Sequence, residues 1–304
     1  MSGIVFGTGL RRPDGIVGFA RRAEALGFDF LGCGEHVMFH GPVGNTFVSL
    51  SVAAGATERI KLMSAIVLLP LYPAALVAKL GAALDVASGG RYLCGVGIGG
   101  EYPREFEACG VPVEERGARA DEALSLMRRL WTEERVTHHG RFNTLNDVTL
   151  SPAPTTKPHP PIWVAGRRDG AMRRAARHGD GWLPYMYTPE MLAESIEKIG
   201  AFGAEAGRDM STFTPGLFIF TAVHRDGARA REMAAARLGR QYAQDFSTIT
   251  GKYALAGTPE ACRERLAQYI EAGARLVMLS SACPDEHLEE NIRLIAEEIV
   301  PAFR

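Results

Sequence analysis

The chain lacks several things, and each shortage removes a class of protein. Charge of one sign is not in excess: 34 Lys+Arg stand against 35 Asp+Glu over 304 residues, a formal net charge of -1. Nucleic-acid binders usually carry a basic field to hold phosphates, so no nucleic-acid partner is expected. No long hydrophobic run occurs. The most apolar stretch, residues 62–78, is broken by Pro70 and Pro73 and falls short of the ~20 residues of a membrane span, so no membrane partner is expected. Cysteine is sparse: Cys33, Cys94, Cys109, Cys262 and Cys283 form an odd set without a C-x-x-C pair. Three of them sit in apolar, Gly-rich or strand-like surroundings and read as buried thiols of a reduced, cytoplasmic protein. The opening MSGIVFGTGLRR has neither the basic start nor the long apolar middle of a secretory signal. No G-x-S-x-G elbow, Walker sequence or H-E-x-x-H is found.

What remains is 46% hydrophobic and 23% charged, the make-up of a globular chain with a large core. Short runs rich in Val, Ile, Leu and aromatics fall at 4–8, 29–33, 60–69, 91–96, 161–164, 181–184, 216–223 and 276–279. They show little polar alternation, as strands covered on both faces do. Helical stretches separate them at 13–26, 74–86, 114–131, 171–177, 189–202, 228–241, 259–272 and 285–299. The third of these has apolar positions 120, 123, 124, 127, 130 and 131 on one face. Thr258-Pro259 supplies a cap residue followed by proline at the first helical position.

Eight strands alternating with helices, without a break in composition, predict an α/β fold: a single (β/α)8 TIM barrel over residues 1–304, with insertion loops at its C-terminal face. An open doubly wound sheet is the alternative. The proline-rich segment 137–160 reads as an insertion after the fourth helix, and 245–256 as an irregular loop. In a barrel the active site lies where the strands end, which singles out the loops after each run.

Three of those loops carry chemistry. Glu35-His36 closes the second strand, where an ionisable pair can exchange protons or hydrogen-bond a polar ligand; a histidine satisfying loop carbonyls is the plainer reading. Gly41-Pro42 after His40 argues against a zinc-binding helix, and no metal site is expected. Residues 95–100, GVGIGG, satisfy G-x-G-x-x-G. They sit on the fourth strand, are followed by Pro103, and lack the acidic residue of a dinucleotide fold. Such glycines imply close approach of the backbone to something flat or anionic, or a tight turn. Ala165-Gly166-Arg167-Arg168 joins the fifth strand to a helix, and helix-start N–H groups beside two guanidiniums make a phosphate site.

In this order the motifs are specific. Glu35-His36, then SAIVLLP (64–70), LDVASGGR (84–91), GVGIGGE (95–101), Glu105-Phe106-Glu107, PPIWVAG (160–166), ARHGDGW (176–182) and GTPE (257–260) together resemble the bacterial luciferase-like monooxygenase superfamily, particularly its coenzyme F420-dependent oxidoreductase branch. The resemblance spans nearly the whole chain. It implies a flavin-like ring in the barrel mouth, backed by a bulge with a non-prolyl cis peptide at Ala65–Ile66. Gly97, Ile98, Gly99 and Gly100 would border the ring and ribityl chain, and Ala165, Gly166, Arg167 and Arg168 would take the phosphate. His36 matches the histidine beside the reactive carbon, with Glu35 tuning or orienting it and Glu101 as a second proton partner. The sugar-phosphate lysine of the family's glucose-6-phosphate dehydrogenases has no counterpart, since PYMYT (184–188) fills that loop; its aromatics predict a more apolar substrate wall.

The implied function is hydride transfer between F420 and a small-molecule substrate. FMN with oxygen activation is the alternative cofactor reading, and Arg11, Arg12, Arg167 and Arg168 favour the longer anionic tail of F420. A metal-assisted hydrolase or a non-catalytic cofactor carrier are the rivals from other classes. Family members commonly form homodimers through their helices, which is the expectation for this chain.

Overall fold

A computed structural model describes residues 3–243 and 245–304; Met1, Ser2 and Gln244, which the expected domain span includes, lie outside it. Eight parallel strands close into a ring. In chain order they are β1 (Val5–Gly9), β2 (Phe30–Cys33), β3 (Lys61–Ser64) with its short continuation β4 (Val67–Leu68), and β5 (Tyr92–Gly97). After a hairpin of β6 (Val136–His139) and β7 (Thr144–Val148), the ring resumes with β8 (Ile162–Ala165), β9 (Gly181–Leu183) and β10 (Thr214–Val223). A short β11 (Ala254–Gly257) pairs with the upper half of β10. The last member, β12 (Leu276–Ser281), pairs with both β10 and β1 and closes the ring. The expected (β/α)8 TIM barrel is the observed fold.

Strand pleating divides the core. Side chains alternate between faces, so Phe30 and Met63 join Leu93, Trp163, Leu183, Leu276 and Met278 in one cluster, while their neighbours Leu31 and Leu62 pack with residues of the surrounding helices. Both faces bury apolar groups, which is why the strands read as continuous apolar runs.

The helices are α1 (Ile16–Ala25), α2 (Thr46–Ala56), α3 (Ala74–Ala87), α4 (Pro103–Ala108), α5 (Arg116–Thr132), α6 (Asp169–His178), α7 (Pro189–Glu205), α8 (Gly227–Tyr242), α9 (Thr250–Tyr253), α10 (Pro259–Glu271) and α11 (Leu288–Leu294). No helix among the described residues is long and apolar enough to cross a membrane.

Two expectations change. The segment read as a proline-rich insertion begins with the β6–β7 hairpin, and 245–256 contains α9 and β11. The hairpin region lies along the outside of the barrel rather than over its mouth. Glu122 of α5 accepts from the backbone N–H groups of Arg141, Phe142 and Asn143, Asn143 Oδ1 accepts from Ala74 N at the start of α3, and buried Asp85 on α3 accepts from Thr156 N and Oγ1, each at 2.8 Å. A chain leaving the C-terminus of α5 starts at the barrel's lower end, and these acceptors fix it against α3 and α5.

Candidate active site

Strand β2 ends at Cys33, and the next three residues carry the chain over the barrel rim. Adjacent side chains at a strand end diverge, and here they take different surroundings. Glu35 is buried. Its Oε1 accepts from Leu68 N at 2.9 Å, and its Oε2 from Thr46 N at 3.3 Å, Asn45 Nδ2 at 3.1 Å and the Tyr72 hydroxyl at 3.0 Å. One carboxylate thereby ties the end of β2 to β4 and to the start of α2, whose N-cap is Asn45. Burial pushes the Glu35 carboxyl above its usual range; the bonds from Leu68, Thr46 and Tyr72 oppose the rise, and the charge of Glu105 adds to it.

The expectation that Glu35 orients His36 is corrected. Nδ1 of His36 lies 3.2 Å from both oxygens of Glu105, a fully buried residue of α4 that also accepts from Val37 N at 3.2 Å. This contact engages Nδ1 and leaves Nε2 for a ligand. Phe39 stacks on the imidazole, with centroids 4.0 Å apart and planes 12° from parallel. Glu105 is 69 residues from His36 and escaped the sequence reading; its only signal was Glu105-Phe106-Glu107 in the family-like motif.

The floor comes from β3 and β5. The Ala65–Ile66 peptide between β3 and β4 is cis, at the position the resemblance implies. The facing glycines are explained by it. A Cβ on Gly95 would collide with the backbone oxygen of Ser64, and one on Gly97 with the Ile66 side chain. Close backbone approach, one of the readings left open for this run, is therefore toward the bulge itself. Gly99 and Gly100 adopt φ of 57° and 104°, which favour glycine, and turn the chain toward α4.

Cations flank that turn. A Cβ on Gly100 would lie 2.9 Å from Nε of Arg116, and that nitrogen is buried without a hydrogen-bond partner among the described residues. Beyond it the helix α6 starts directly after Arg168. Arg167 and Arg168 are exposed, and the Arg167 guanidinium sits 4.8 Å over the Tyr185 ring. The loop is braced from below, since Trp182 Nε1 donates to Gly166 O at 2.8 Å and the Tyr187 hydroxyl to Arg167 O at 3.2 Å.

These pieces line one cleft of about 1280 Å³, which gathers all thirteen expected site residues: Glu35, His36, Ala65, Ile66, Gly97, Ile98, Gly99, Gly100, Glu101, Ala165, Gly166, Arg167 and Arg168. Glu101 faces its open space. Enclosure by the surrounding walls raises its carboxyl, His36 and Arg167 partly offset that, and Glu105 adds to it. The apolar wall differs from expectation. Of Tyr185, Met186 and Tyr187 only Tyr185 lines the cleft; Phe218 and Phe220 of β10, Tyr242 of α8 and Phe39 complete the wall. Tyr187 packs edge-on against Trp182 instead. Arg11 and Arg12 do stand at the mouth, but both pair with Asp285 at 2.8 Å, and Arg12 also with Asp14 at 2.7 Å. Among the described residues no three His, Cys, Asp or Glu converge as a metal site would need.

Comparison with known proteins gives a consistent picture. The sequence model of the family described as luciferase-like monooxygenase matches residues 4–276. An F420-dependent glucose-6-phosphate dehydrogenase of Microbacterium testaceum is 26% identical, with 96% of this chain and 94% of that protein aligned. An FMNH(2)-dependent dimethylsulfone monooxygenase of Pseudomonas putida is 32% identical over 62% of this chain and 53% of its own length. The crystal structure of monooxygenase RslO1 from Streptomyces bottropensis superposes with a TM-score of 0.87 at 26% identity, covering 99% of this chain and 100% of that one. The chain spans a little over half the length, 57%, of uncharacterized Mycobacterium relatives that are 36% identical over 55% of this chain.

Proposed function

This chain belongs to the luciferase-like monooxygenase family, and from that premise we propose that it is an oxidoreductase passing a hydride between coenzyme F420 and a small organic substrate. One observation carries the reading: a single cleft joins an apolar floor at Ala65–Ile66, a cationic helix start at Arg167–Arg168 and an imidazole held by a buried carboxylate.

The residues fit such a cofactor. A flat ring needs a floor without long side chains, and Gly97 leaves that space to Ile66. An anionic linker needs donors, and the orphaned Nε of Arg116, the guanidiniums of Arg167 and Arg168 and the free N–H groups at the start of α6 supply them. F420, when bound, supplies a hydride at a ring carbon. The protein's part is to orient, exclude water and manage a proton. His36 presents Nε2 to the substrate oxygen or nitrogen that gains or loses the proton. Glu105 fixes the ring's tautomer and stabilises its charge. Glu101, with its raised carboxyl, is the second proton carrier within the same space. Glu35 serves as a strut beneath them.

FMN with oxygen activation is the second reading, favoured by the Pseudomonas putida relative named for FMNH(2). F420 is preferred because its longer anionic tail suits the cations at Arg116, Arg167 and Arg168. Titration of the cofactor-free protein with each compound, followed by fluorescence, tests the choice. F420 is expected to bind about ten-fold or more tightly than FMN; the opposite order reverses the assignment, and no binding of either removes the oxidoreductase reading.

A second copy of the chain is the proposed partner. Val48 and Val52 of α2 and Leu76 and Val86 of α3 are large apolar groups left exposed, and a homodimer through these helices would cover them. Light scattering at the monomer mass down the whole concentration range would rule that out.

A further inference from the structure

We propose that the rim of the mouth formed by β1, β12 and α8 is an oxyanion subsite, and that the substrate is an organic molecule with an apolar body and a carboxylate, sulfonate or phosphate at one end. The proposal rests on the cleft being the oxidoreductase site, whose substrate class it names.

Position comes first. Around the ring the strands run β1, β2, β3, β5, β8, β9, β10 and β12, so β1 stands opposite β8. Arg11, just past β1, therefore faces the Arg167–Arg168 loop across the full width of the mouth. The two cationic rims belong to different ends of whatever fills the cleft.

The charges on this rim are unevenly matched. The Arg11 side chain is 6% exposed. Nη2 reaches Asp285 Oδ1 at 2.8 Å, Nη1 reaches only the sulfur of Cys283 at 3.8 Å, and Nε is buried without a partner. Sulfur is a poor acceptor, so most of this guanidinium's hydrogen-bonding capacity is unmet. Arg237 of α8 is half-buried and lines the same cleft, yet its side chain has no hydrogen-bond or ion-pair partner among the described residues. Burial acts against its charge, as do Arg11 and Arg240; Asp285 supports it. Both oxygens of Asp285 are already taken, one by Arg11 and one by Arg12, each at 2.8 Å. Glu286, exposed on the same rim, is the other carboxylate lining the cleft there. Arg11 and Arg237 thus stand together where Asp285 is saturated, with Arg240, exposed three residues further along α8, adding its charge. A planar fork binds an oxyanion through two parallel bonds, and desolvated cations without a partner gain most from one.

The apolar body is indicated by the same helix. Tyr242 follows Arg237 by five residues, roughly 7–8 Å along a helix axis. It packs against Phe220, centroids 6.1 Å apart, and Phe220 against Phe218 at 5.1 Å. A ring or short chain reaching from that wall to Arg237 fits the interval. The anionic tail of F420 shares the oxyanion chemistry. It extends beyond the cofactor's phosphate, however, and the phosphate site proposed here lies across the mouth from Arg11, so the substrate is assigned to the group that Arg11 forms with Arg237.

The test uses the cofactor-free protein, 3-phenylpropionate and its uncharged analogue 3-phenylpropanol, with binding followed by calorimetry. The acid should bind about ten-fold or more tightly than the alcohol. Arg237→Gln should abolish that preference, and Arg229→Gln, on the outer face of the same helix, should preserve it. Failure of the acid to bind, equal binding of acid and alcohol, or an unchanged preference in Arg237→Gln overturns the subsite. In a second arm, F420 and its tail-less deazaflavin analogue are titrated into Arg237→Gln. Unchanged affinities support the assignment; selective loss for the tailed form gives the rim to the cofactor and overturns it. If neither F420 nor FMN binds while the acid preference persists, the subsite stands and the oxidoreductase reading falls.

Discussion

Carboxylates at the two ends of the barrel are the same chemical group put to opposite use. At the lower end, Glu24 accepts from the N–H groups of Glu58, Arg59 and Ile60 at 3.1, 2.7 and 2.9 Å. Asp29 accepts from Phe6 N and Asp180 from Ile162 N, both at 2.8 Å. Each satisfies backbone N–H groups at or just before the start of a strand. Burial works to raise the Glu24 carboxyl, but its three backbone donors outweigh it and hold the group low. At the upper end Glu35 is raised foremost by burial and Glu101 by the walls that enclose it, with Glu105 as a like charge beside both. Three backbone donors prevail at the less buried Glu24, whereas at Glu35 four donors do not outweigh burial and the neighbouring charge. The barrel thus holds a lowered carboxylate, Glu24, at a strand start and raised ones, Glu35 and Glu101, at the mouth.

Substitutions at each end break or sharpen that division. The largest effect is expected for His36→Ala, which should lower F420-dependent turnover by about 10²- to 10⁴-fold while leaving the thermal midpoint near the wild-type value. Full turnover in this variant refutes the proton role. Glu105→Gln should cost roughly ten-fold in turnover, because an amide can donate to Nδ1 and so permits the wrong tautomer; an unaltered rate would make the buried carboxylate a packing group only.

At the lower end the readout is stability. Glu24→Ala should lose about 1–2 kcal/mol by urea denaturation at pH 7, with turnover unchanged. A carboxyl whose folded pKa is depressed lends its stability above the unfolded value and loses it as pH falls through the folded one. The gap between wild type and variant should therefore close below about pH 4. Glu35 has the reverse sign. Its raised carboxyl lends stability that is full below the unfolded value, about pH 4.3, and is lost as pH rises through the folded value. Wild type should thus weaken relative to Glu35→Gln between acid and neutral pH, by roughly 1 kcal/mol or less. A gap that stays constant would mean the group does not titrate in that window.

The parts legible in the sequence are those that local chemistry dictates. The eight barrel strands fall within a residue or two of the apolar runs at most of their ends, because a strand covered on both faces must be apolar throughout. Helix α10 begins at Pro259, where Thr258 accepts from Ala261 N. Helix α2 went unread: TFVSLSVAAGA has Thr46, Phe47, Ser49 and Leu50 buried but Val48 and Val52 exposed, so no periodic face stands out. The hairpin strands VTHH and TLNDV are polar and largely exposed, and β11 is four small or apolar residues that pair with the upper half of β10. The candidate site followed the same line. Its loops could be named in advance, since every strand end of a barrel opens on one mouth, but Glu105, Arg116, Arg237 and Tyr242 lie on helices whose inward faces were unknowable without packing.

The order and spacing of apolar runs, helix caps and glycines determined the barrel, the location of its mouth and the resemblance that predicts a flavin-like ring there. Only the tertiary structure decided which of two adjacent residues, Glu35 and His36, turns inward. It also chose the carboxylate that meets the imidazole and the arginines left without partners. Strand and helix formation answer to neighbours a few residues apart, whereas desolvation and ion pairing depend on groups that the closed ring brings together from opposite ends of the chain.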